Sequence, residues 1–118
     1  MNLFAYKNGA LHCDNLSIQS IVEQVGTPLY LYSKNTLLRH YQRLDQSLAG
    51  IDHIICYAMK ANSSLAICRT LAGVGAGADV VSGGELFRAV RAGISPSKIV
   101  FNGNGKTAEE MRLGLESD

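Results

Sequence analysis

The stretch that decides the fold is "GADVVSGGELFRAVRAG", residues 77 to 93, in which an apolar strand passes directly into a helix. The same order occurs earlier, where "HIICYAMK" (53–60) leads to "LAICRTLAGV", and later, where "KIVFNG" (98–103) leads to "TAEEMRLGLE". These strands are near-continuous apolar runs, which is typical of strands covered on both faces. Successive strand–helix units of this kind predict a parallel sheet with right-handed crossovers, and therefore the α/β class.

Two parallel α/β architectures remain, a doubly wound sheet and a (β/α)8 TIM barrel, because no unit shows the L-x-x-L-x-L spacing of leucine-rich repeats. A barrel needs about 250 residues, so three units would form only its first part. The chain also ends on "LGLESD" without a closing strand. We therefore expect a fragment whose third strand is an open edge, which would favour association with another chain.

The residues before these units predict a separate N-terminal segment, residues 1–33, of strands plus one helix, with residues 34–118 forming the α/β part. Ser17 and Gly26 are the expected N-cap and C-terminal stop of the helix, and "TPLYLYS" (27–33) predicts a short strand. A second helix is expected to end near Gly50. The apolar residues that predict the two helices are Ile18, Ile21, Val22 and Val25, and then Leu37, Tyr41, Leu44 and Leu48.

Composition excludes several classes of function. A hydrophobic content of 47% and a charged content of 18% are typical of a chain that folds around a core. The net charge of +1 favours neither nucleic acid nor a membrane surface as a partner. The sequence has no apolar stretch of the length that spans a bilayer and no signal peptide, so we expect a cytoplasmic protein.

The cysteines and histidines predict neither disulfides nor a metal site. No C-x-x-C pair occurs, and a free cysteine on an apolar strand or helix behaves as a small hydrophobic residue. The histidines lack the spacing of zinc ligands. The residues concerned are Cys13, Cys56, Cys68, His12, His40 and His53.

Two glycine-rich stretches resemble nucleotide-binding loops. "GVGAGA" (73–78) follows a helix and precedes a strand, the reverse of a dinucleotide-binding loop, so it is better explained as a helix stop and a turn. "GNGKT" (103–107) has the correct position between strand and helix, but a P-loop needs glycine where Val100 stands. A weaker anion-binding role stays open for it.

Two pairs at S/T-x-x-E spacing, Ser82 with Glu85 and Thr107 with Glu110, predict capping boxes at helix starts. This spacing satisfies two backbone amides at the first turn of a helix. Capping alone therefore explains all four residues.

Lys60 follows six apolar residues at the predicted carboxyl end of a strand, where parallel α/β proteins hold their functional groups. Partial desolvation there would favour the neutral amine, which is the nucleophile that forms a Schiff base with a carbonyl. The alternative is a lysine that extends its amine to solvent. Position alone leaves both interpretations open.

The residues around this lysine carry a family resemblance. "YAMKAN" (57–62) resembles the YAxKAN lysine motif of the alanine-racemase-like, fold-type III pyridoxal-phosphate enzymes. Three further segments resemble segments of these enzymes and occur in the same order along the chain: "VGTPLYLYS", "GADVVSGGEL" and "IVFNGNGKT". Within that group the chain is most similar to the diaminopimelate decarboxylase family, over essentially all 118 residues. The departures are mild: Met59 stands where valine or leucine is usual, and Val25 where an aromatic residue is usual.

The resemblance implies the fold, the cofactor and the site. The fold would be the N-terminal portion of a (β/α)8 barrel that binds pyridoxal 5'-phosphate. Lys60 would bind that cofactor covalently, and Asp79 would orient it or balance its charge. Ser82 and Asn102 would be weaker cofactor-binding candidates. The cofactor's phosphate clamp, the acidic partner of its pyridine nitrogen and the substrate-binding side chains would lie beyond residue 118.

The resemblance also implies an activity, the decarboxylation of meso-2,6-diaminopimelate to L-lysine and carbon dioxide by a homodimer, with the isolated 118-residue chain inactive. Two alternatives stay open. One is a related barrel enzyme, such as an ornithine or arginine decarboxylase or an amino-acid racemase. The other is a small nucleotide-binding or phosphate-binding domain that uses the "GNGKT" loop.

Overall fold

The structure, a computed structural model, describes residues 3–117, which divide into two compact units. The first unit extends to His40 and the second begins at Tyr41. The division falls within the helix α2, Lys34–Ser47, whereas the sequence placed a boundary at its start. Among the described residues, no helix is both long and apolar enough to cross a lipid bilayer.

The first unit contains a three-stranded antiparallel sheet in the order β1 (Phe4–Lys7), β2 (Ala10–Cys13) and β3 (Leu16–Ser17). Asn8 and Gly9 join the first two strands with φ of 51° and 79°, as a type I′ hairpin turn requires. The N-terminal strand therefore pairs within its own unit.

The first helix, α1 (Ile18–Val25), has the predicted bounds. The Ser17 hydroxyl accepts a 3.0 Å hydrogen bond from the Ser20 amide, and the Gly26 amide donates to the Val22 carbonyl. The strand predicted over residues 27–33 is wrong, because no strand pairing involves this stretch within residues 3–117. Its β-rich composition was the only support for a strand, and a strand also needs a neighbour to pair with.

The second unit confirms the three predicted strand–helix units. The strands form one parallel sheet in the order β4, β5, β6, and each is followed by a helix. The elements are β4 (Cys56–Ala58), α3 (Leu65–Ala72), β5 (Gly77–Val80), α4 (Gly83–Arg91), β6 (Ile99–Phe101) and α5 (Ala108–Glu116).

The first parallel strand is shorter than predicted. Residues 53–60 were expected to be extended, but only Cys56–Ala58 pair with β5, and Met59–Ala61 form a 3-10 turn. The first residue of β5, Gly77, pairs with Cys56, so residues 53–55 lie before the ladder begins. A Cβ atom on Gly77 would collide with the backbone carbonyl of Lys98, which directly precedes β6. The close approach of β5 to this residue therefore needs glycine at position 77.

The hydrophobic core lies on one face of this sheet. Ala78 and Val80 of β5 are fully buried against the helices. On the opposite face, Asp79 is half-buried and Val100 is 44% exposed. The prediction that both faces are covered therefore holds only for the helix-facing side of this chain. The remaining core residues are Met59, Cys68, Leu86, Ala89, Ala92 and Ile94.

Candidate active site

The carboxyl ends of the three parallel strands bring three of the candidate residues to one edge of the sheet. Asp79 pairs in register with Ala58 on one side and with Val100 on the other. Lys60 lies two residues beyond Ala58, and Asn102 two residues beyond Val100. Side chains alternate along a strand, and Ala78 and Val80 are buried against the helices, so Asp79 projects from the opposite face of the sheet.

Asp79 and Asn102 are in direct contact. The Asn102 side-chain amide donates a 2.7 Å hydrogen bond to Oδ1 of Asp79. The Asn102 backbone amide also donates to the Val80 carbonyl at 2.8 Å, which continues the strand ladder and fixes the residue's position. The structure therefore joins the second and third strands through a carboxylate–amide pair.

Lys60 does not have the environment that the sequence predicted. It is exposed, because the chain leaves the sheet after Ala58 and enters a 3-10 turn that buries Met59 completely. The prediction of a partly desolvated amine is therefore wrong for this chain. Within residues 3–117 no hydrogen bond or ion pair engages the Lys60 amine.

Two residues that the sequence analysis did not single out brace the loop that carries Lys60. The Tyr57 hydroxyl donates a 3.0 Å hydrogen bond to the Asn62 carbonyl. Oδ1 of Asn62 accepts a 2.9 Å hydrogen bond from the Ser64 amide, at the start of α3. Their presence in the quoted "YAMKAN" motif was the available signal, since both ends of the motif are polar residues beside a turn.

Ser82 has a structural task at the start of α4. Its hydroxyl accepts a 3.2 Å hydrogen bond from the Glu85 amide, as predicted for an N-cap. The Glu85 carboxylate accepts from the Val81 amide at 2.8 Å, one residue earlier than a standard capping box requires. The role of Ser82 in cofactor binding stays a prediction.

The "GNGKT" loop is closed on itself. The Lys106 amine donates to the carbonyls of Asn102 and Gly103 at 2.8 and 2.6 Å, and it lies 5.3 Å from the centre of the Phe101 ring. A P-loop lysine must instead reach the phosphates of a nucleotide. This geometry gives the nucleotide-binding alternative no support.

Thr107 and Glu110 form the predicted capping box of α5. The sequence did not reveal that the same carboxylate also accepts a 2.8 Å hydrogen bond from the Gly83 amide, at the start of α4. The amides of Gly83 and Thr107 donate to the ionised form, and they hold the pKa of Glu110 below its usual value. This carboxylate therefore connects the loops after β5 and β6.

The cysteines in the described part of the chain are free. Cys13 and Cys68 are buried and Cys56 is half-buried, and burial raises the pKa of all three thiols. Burial therefore favours the protonated thiol over the thiolate, which is the nucleophilic form. No group of three or more histidine, cysteine, aspartate or glutamate residues among residues 3–117 is arranged to hold a metal ion.

The family model and the similar proteins of known function indicate the same family. The family model for the pyridoxal binding domain of pyridoxal-dependent decarboxylases matches residues 13–118. The diaminopimelate decarboxylase of Vibrio cholerae is 47% identical over 117 residues, and that of Pseudomonas fluorescens is 46% identical over 116 residues. Both matches cover 98% of this chain but only 28% of the relative's length.

Solved structures agree with this result. The crystal structure of the M. jannaschii diaminopimelate decarboxylase has a TM-score of 0.90 at 41% identity, covering 98% of this chain and 28% of that one. The same enzyme has been solved in complex with L-lysine, with a TM-score of 0.87, 41% identity and coverage of 97% and 28%. The lysine/ornithine decarboxylase of Vibrio vulnificus, solved with cadaverine, is more distant, at 26% identity, a TM-score of 0.76 and coverage of 85% and 27%. The α/β fold is thus confirmed as the start of a TIM barrel.

Proposed function

This chain belongs to the family of pyridoxal-dependent decarboxylases, and from that membership we propose that it supplies the cofactor-binding lysine of a diaminopimelate decarboxylase. The reaction proposed is the conversion of meso-2,6-diaminopimelate to L-lysine and carbon dioxide. Because the chain spans 28% of the length of its relatives, the activity is assigned to a longer polypeptide that carries it, called the full-length enzyme below.

The observation that carries this proposal is the arrangement at the carboxyl edge of the parallel sheet. Lys60, whose amine has no hydrogen-bond partner within residues 3–117, follows β4. The Asp79 carboxylate accepts a hydrogen bond from the Asn102 side chain, and this pair connects β5 and β6. An aldehyde cofactor needs a primary amine to bind covalently and polar groups to orient it. The donor set therefore fits pyridoxal phosphate.

The proposed roles follow from chemistry and position. When bound, pyridoxal phosphate supplies the electron sink that stabilises the negative charge left by the departing carbon dioxide. Lys60 provides the amine that binds the cofactor and that yields its place to the amine of the substrate. Asp79 provides negative charge on the side of the sheet that faces away from the helices, and Asn102 fixes the direction of that carboxylate.

The exposure of Lys60 matters for this mechanism. Only the neutral form of a lysine amine attacks a carbonyl, and exclusion of water favours that form. We infer that other parts of the full-length enzyme cover this edge and exclude water from it. The isolated chain is accordingly expected to show no turnover.

The alternatives receive less support. The lysine/ornithine decarboxylase has the same fold, but its identity to this chain is 26%, against 40–47% for the diaminopimelate decarboxylases. The choice among diamino acids depends on side chains that this chain does not contain, as the family resemblance implies. The homodimer and the cytoplasmic location stay predictions.

The proposal is tested by assaying the purified full-length enzyme for carbon dioxide release from meso-diaminopimelate, ornithine, arginine and lysine. Release from diaminopimelate alone is the expected result, and preference for another amino acid would contradict the substrate assignment. Lys60→Arg keeps the charge but removes the primary amine. It is expected to abolish covalent cofactor binding and nearly all turnover, and retention of both would refute the role of Lys60.

A further inference from the structure

The Glu110 carboxylate accepts hydrogen bonds from the first amides of two different helices. Oε1 accepts from the Gly83 amide of α4 at 2.8 Å, and Oε2 accepts from the Thr107 amide, at the N-cap of α5, at 3.0 Å. Both amides lie at helix starts, where the backbone has no partner of its own and the helix dipole favours negative charge. Each oxygen of one ionised side chain is therefore engaged on a different element.

Gly83 provides the room for this contact. A Cβ atom built on Gly83 would lie 3.3 Å from Cγ of Glu110 and 3.6 Å from Cδ2 of Leu113. The separation from Cγ of Glu110 is tighter than most contacts of a Cβ atom, whereas that from Leu113 is an ordinary van der Waals contact, so a larger residue would press against the glutamate. The glycine therefore allows the start of α4 to approach α5 closely enough for a direct hydrogen bond.

Glu110 connects two segments. One follows Asp79, and the other contains Asn102. Gly83 lies four residues after Asp79, and the loop from Asn102 to Thr107 ends at the capping box of Glu110. Within that loop, the Lys106 amine binds the carbonyl of Asn102. Two hydrogen bonds therefore connect the loop after β5 to the loop after β6. One joins Asp79 to Asn102, and the other joins Gly83 to Glu110.

We propose that Glu110 is a positioning residue for the reaction, which holds the Asn102 loop against the start of α4 and thereby keeps the Asn102 amide on the Asp79 carboxylate. Glu110 acts through Asn102 and contacts neither cofactor nor substrate. This inference rests on the proposed function, because the Asp79–Asn102 pair has a catalytic consequence only if Asp79 faces the cofactor.

The test compares Glu110→Ala and Glu110→Gln in the full-length enzyme with Glu109→Ala as a matched control. Glu109 is an exposed acid in the same first turn of α5. Its replacement by alanine removes one carboxylate, as Glu110→Ala does, but leaves the hydrogen bonds of Glu110 in place. Glutamine keeps one acceptor oxygen and loses the other, so Glu110→Gln should have an intermediate effect. Ser17→Ala, which removes the N-cap of α1, serves as a variant that lowers stability elsewhere.

The first measurement is hydrogen exchange at the Gly83 amide, which does not depend on activity. Faster exchange in Glu110→Ala than in Glu109→Ala supports the bridging contact, and equal exchange overturns it. The second is the kinetic split. Per bound cofactor, Glu110→Ala should lower kcat on the order of tenfold, by analogy with the loss found when a group that orients a metal ligand is removed, with little change in KM.

The outcomes separate this inference from the proposed function. A wild-type enzyme that decarboxylates none of the diamino acids would sink the proposed function, whatever the hydrogen exchange shows. An active wild type with equal kcat per bound cofactor in Glu110→Ala and Glu109→Ala would overturn the positioning role alone. If Ser17→Ala lowers kcat per bound cofactor as much as Glu110→Ala does, the loss reflects stability and the positioning role is again overturned.

Discussion

Asn102 holds Asp79 through a 2.7 Å hydrogen bond between neighbouring parallel strands, at the edge where Lys60 also lies. The hydrogen bond from the Asn102 side-chain amide fixes the direction of the Asp79 carboxyl group. A bound cofactor that needs a negative charge at a set position would receive it from this pair.

We expect Asn102→Ala to weaken pyridoxal phosphate binding by about tenfold, roughly 1.4 kcal/mol, near the low end for hydrogen bonds to charged groups. Equilibrium dialysis of the full-length enzyme measures this change. Asn104→Ala is the control, because Asn104 is an exposed asparagine of the same loop. Equal affinities in the two variants would show that Asn102 does not orient the site.

Tyr57→Phe tests the brace of the lysine loop. It removes the hydroxyl that donates to the Asn62 carbonyl and leaves the half-buried ring in place. The expected loss is about 1 kcal/mol of unfolding free energy, since one neutral hydrogen bond contributes roughly that amount. We also expect a lower kcat.

Urea denaturation and steady-state kinetics of the full-length enzyme check both effects of Tyr57→Phe. Tyr30→Phe is the control, because Tyr30 is 95% exposed. A Tyr57→Phe variant as stable and as active as the Tyr30→Phe variant would contradict the bracing role.

Met59 anchors the turn that presents Lys60, since its side chain is 0% exposed within the core. Met59→Ala should cost about 2–5 kcal/mol of unfolding free energy through the cavity it leaves, and Met59→Leu less than about 1.5 kcal/mol. Met111→Ala, at a 48% exposed position, should cost far less. Chemical denaturation gives all three values, and a Met59→Ala cost no larger than that of Met111→Ala would refute the anchoring role.

Glu110 gives the structure an acid-sensitive contribution to stability. Hydrogen bonds from the amides of Gly83 and Thr107 depress its pKa, and the charge of Lys106 adds to the effect. A depressed folded-state pKa stabilises the fold above the unfolded-state pKa, about 4.3 for glutamate, and this stability is lost as pH falls through the folded value.

Glu110→Gln should therefore be less stable than wild type at neutral pH, with a gap that narrows below about pH 4. Denaturation midpoints measured across this range test the expectation, with Glu109→Gln as the control for removal of an exposed acid. A gap that stays constant down to the lowest pH would contradict the assignment.

The order of elements in the second unit was predictable because it depends on local patterns. Apolar runs followed by helical stripes identified the strands that end at Val80 and Phe101, and short capping signals located Ser17, Ser82 and Thr107. Each of these signals acts within about four residues, so the sequence contains it completely.

The contacts that define the candidate site could not be predicted in the same way. The Gly83–Glu110 hydrogen bond joins residues 27 positions apart, and the Asp79–Asn102 bond joins residues 23 apart. Both depend on the strand register, which the sequence does not specify at this precision. The exposure of Lys60 was missed because the apolar run through Met59 suggested a strand where the chain already turns.

The carboxylates of Glu85 and Glu110 have a consequence for where an anion can bind. Both stand at the starts of helices α4 and α5, the positions at which α/β proteins often hold phosphates. A phosphate approaching either helix would meet electrostatic repulsion from a fixed negative charge and compete for the Gly83 amide. The starts of α4 and α5 are therefore unfavourable positions for a phosphate group.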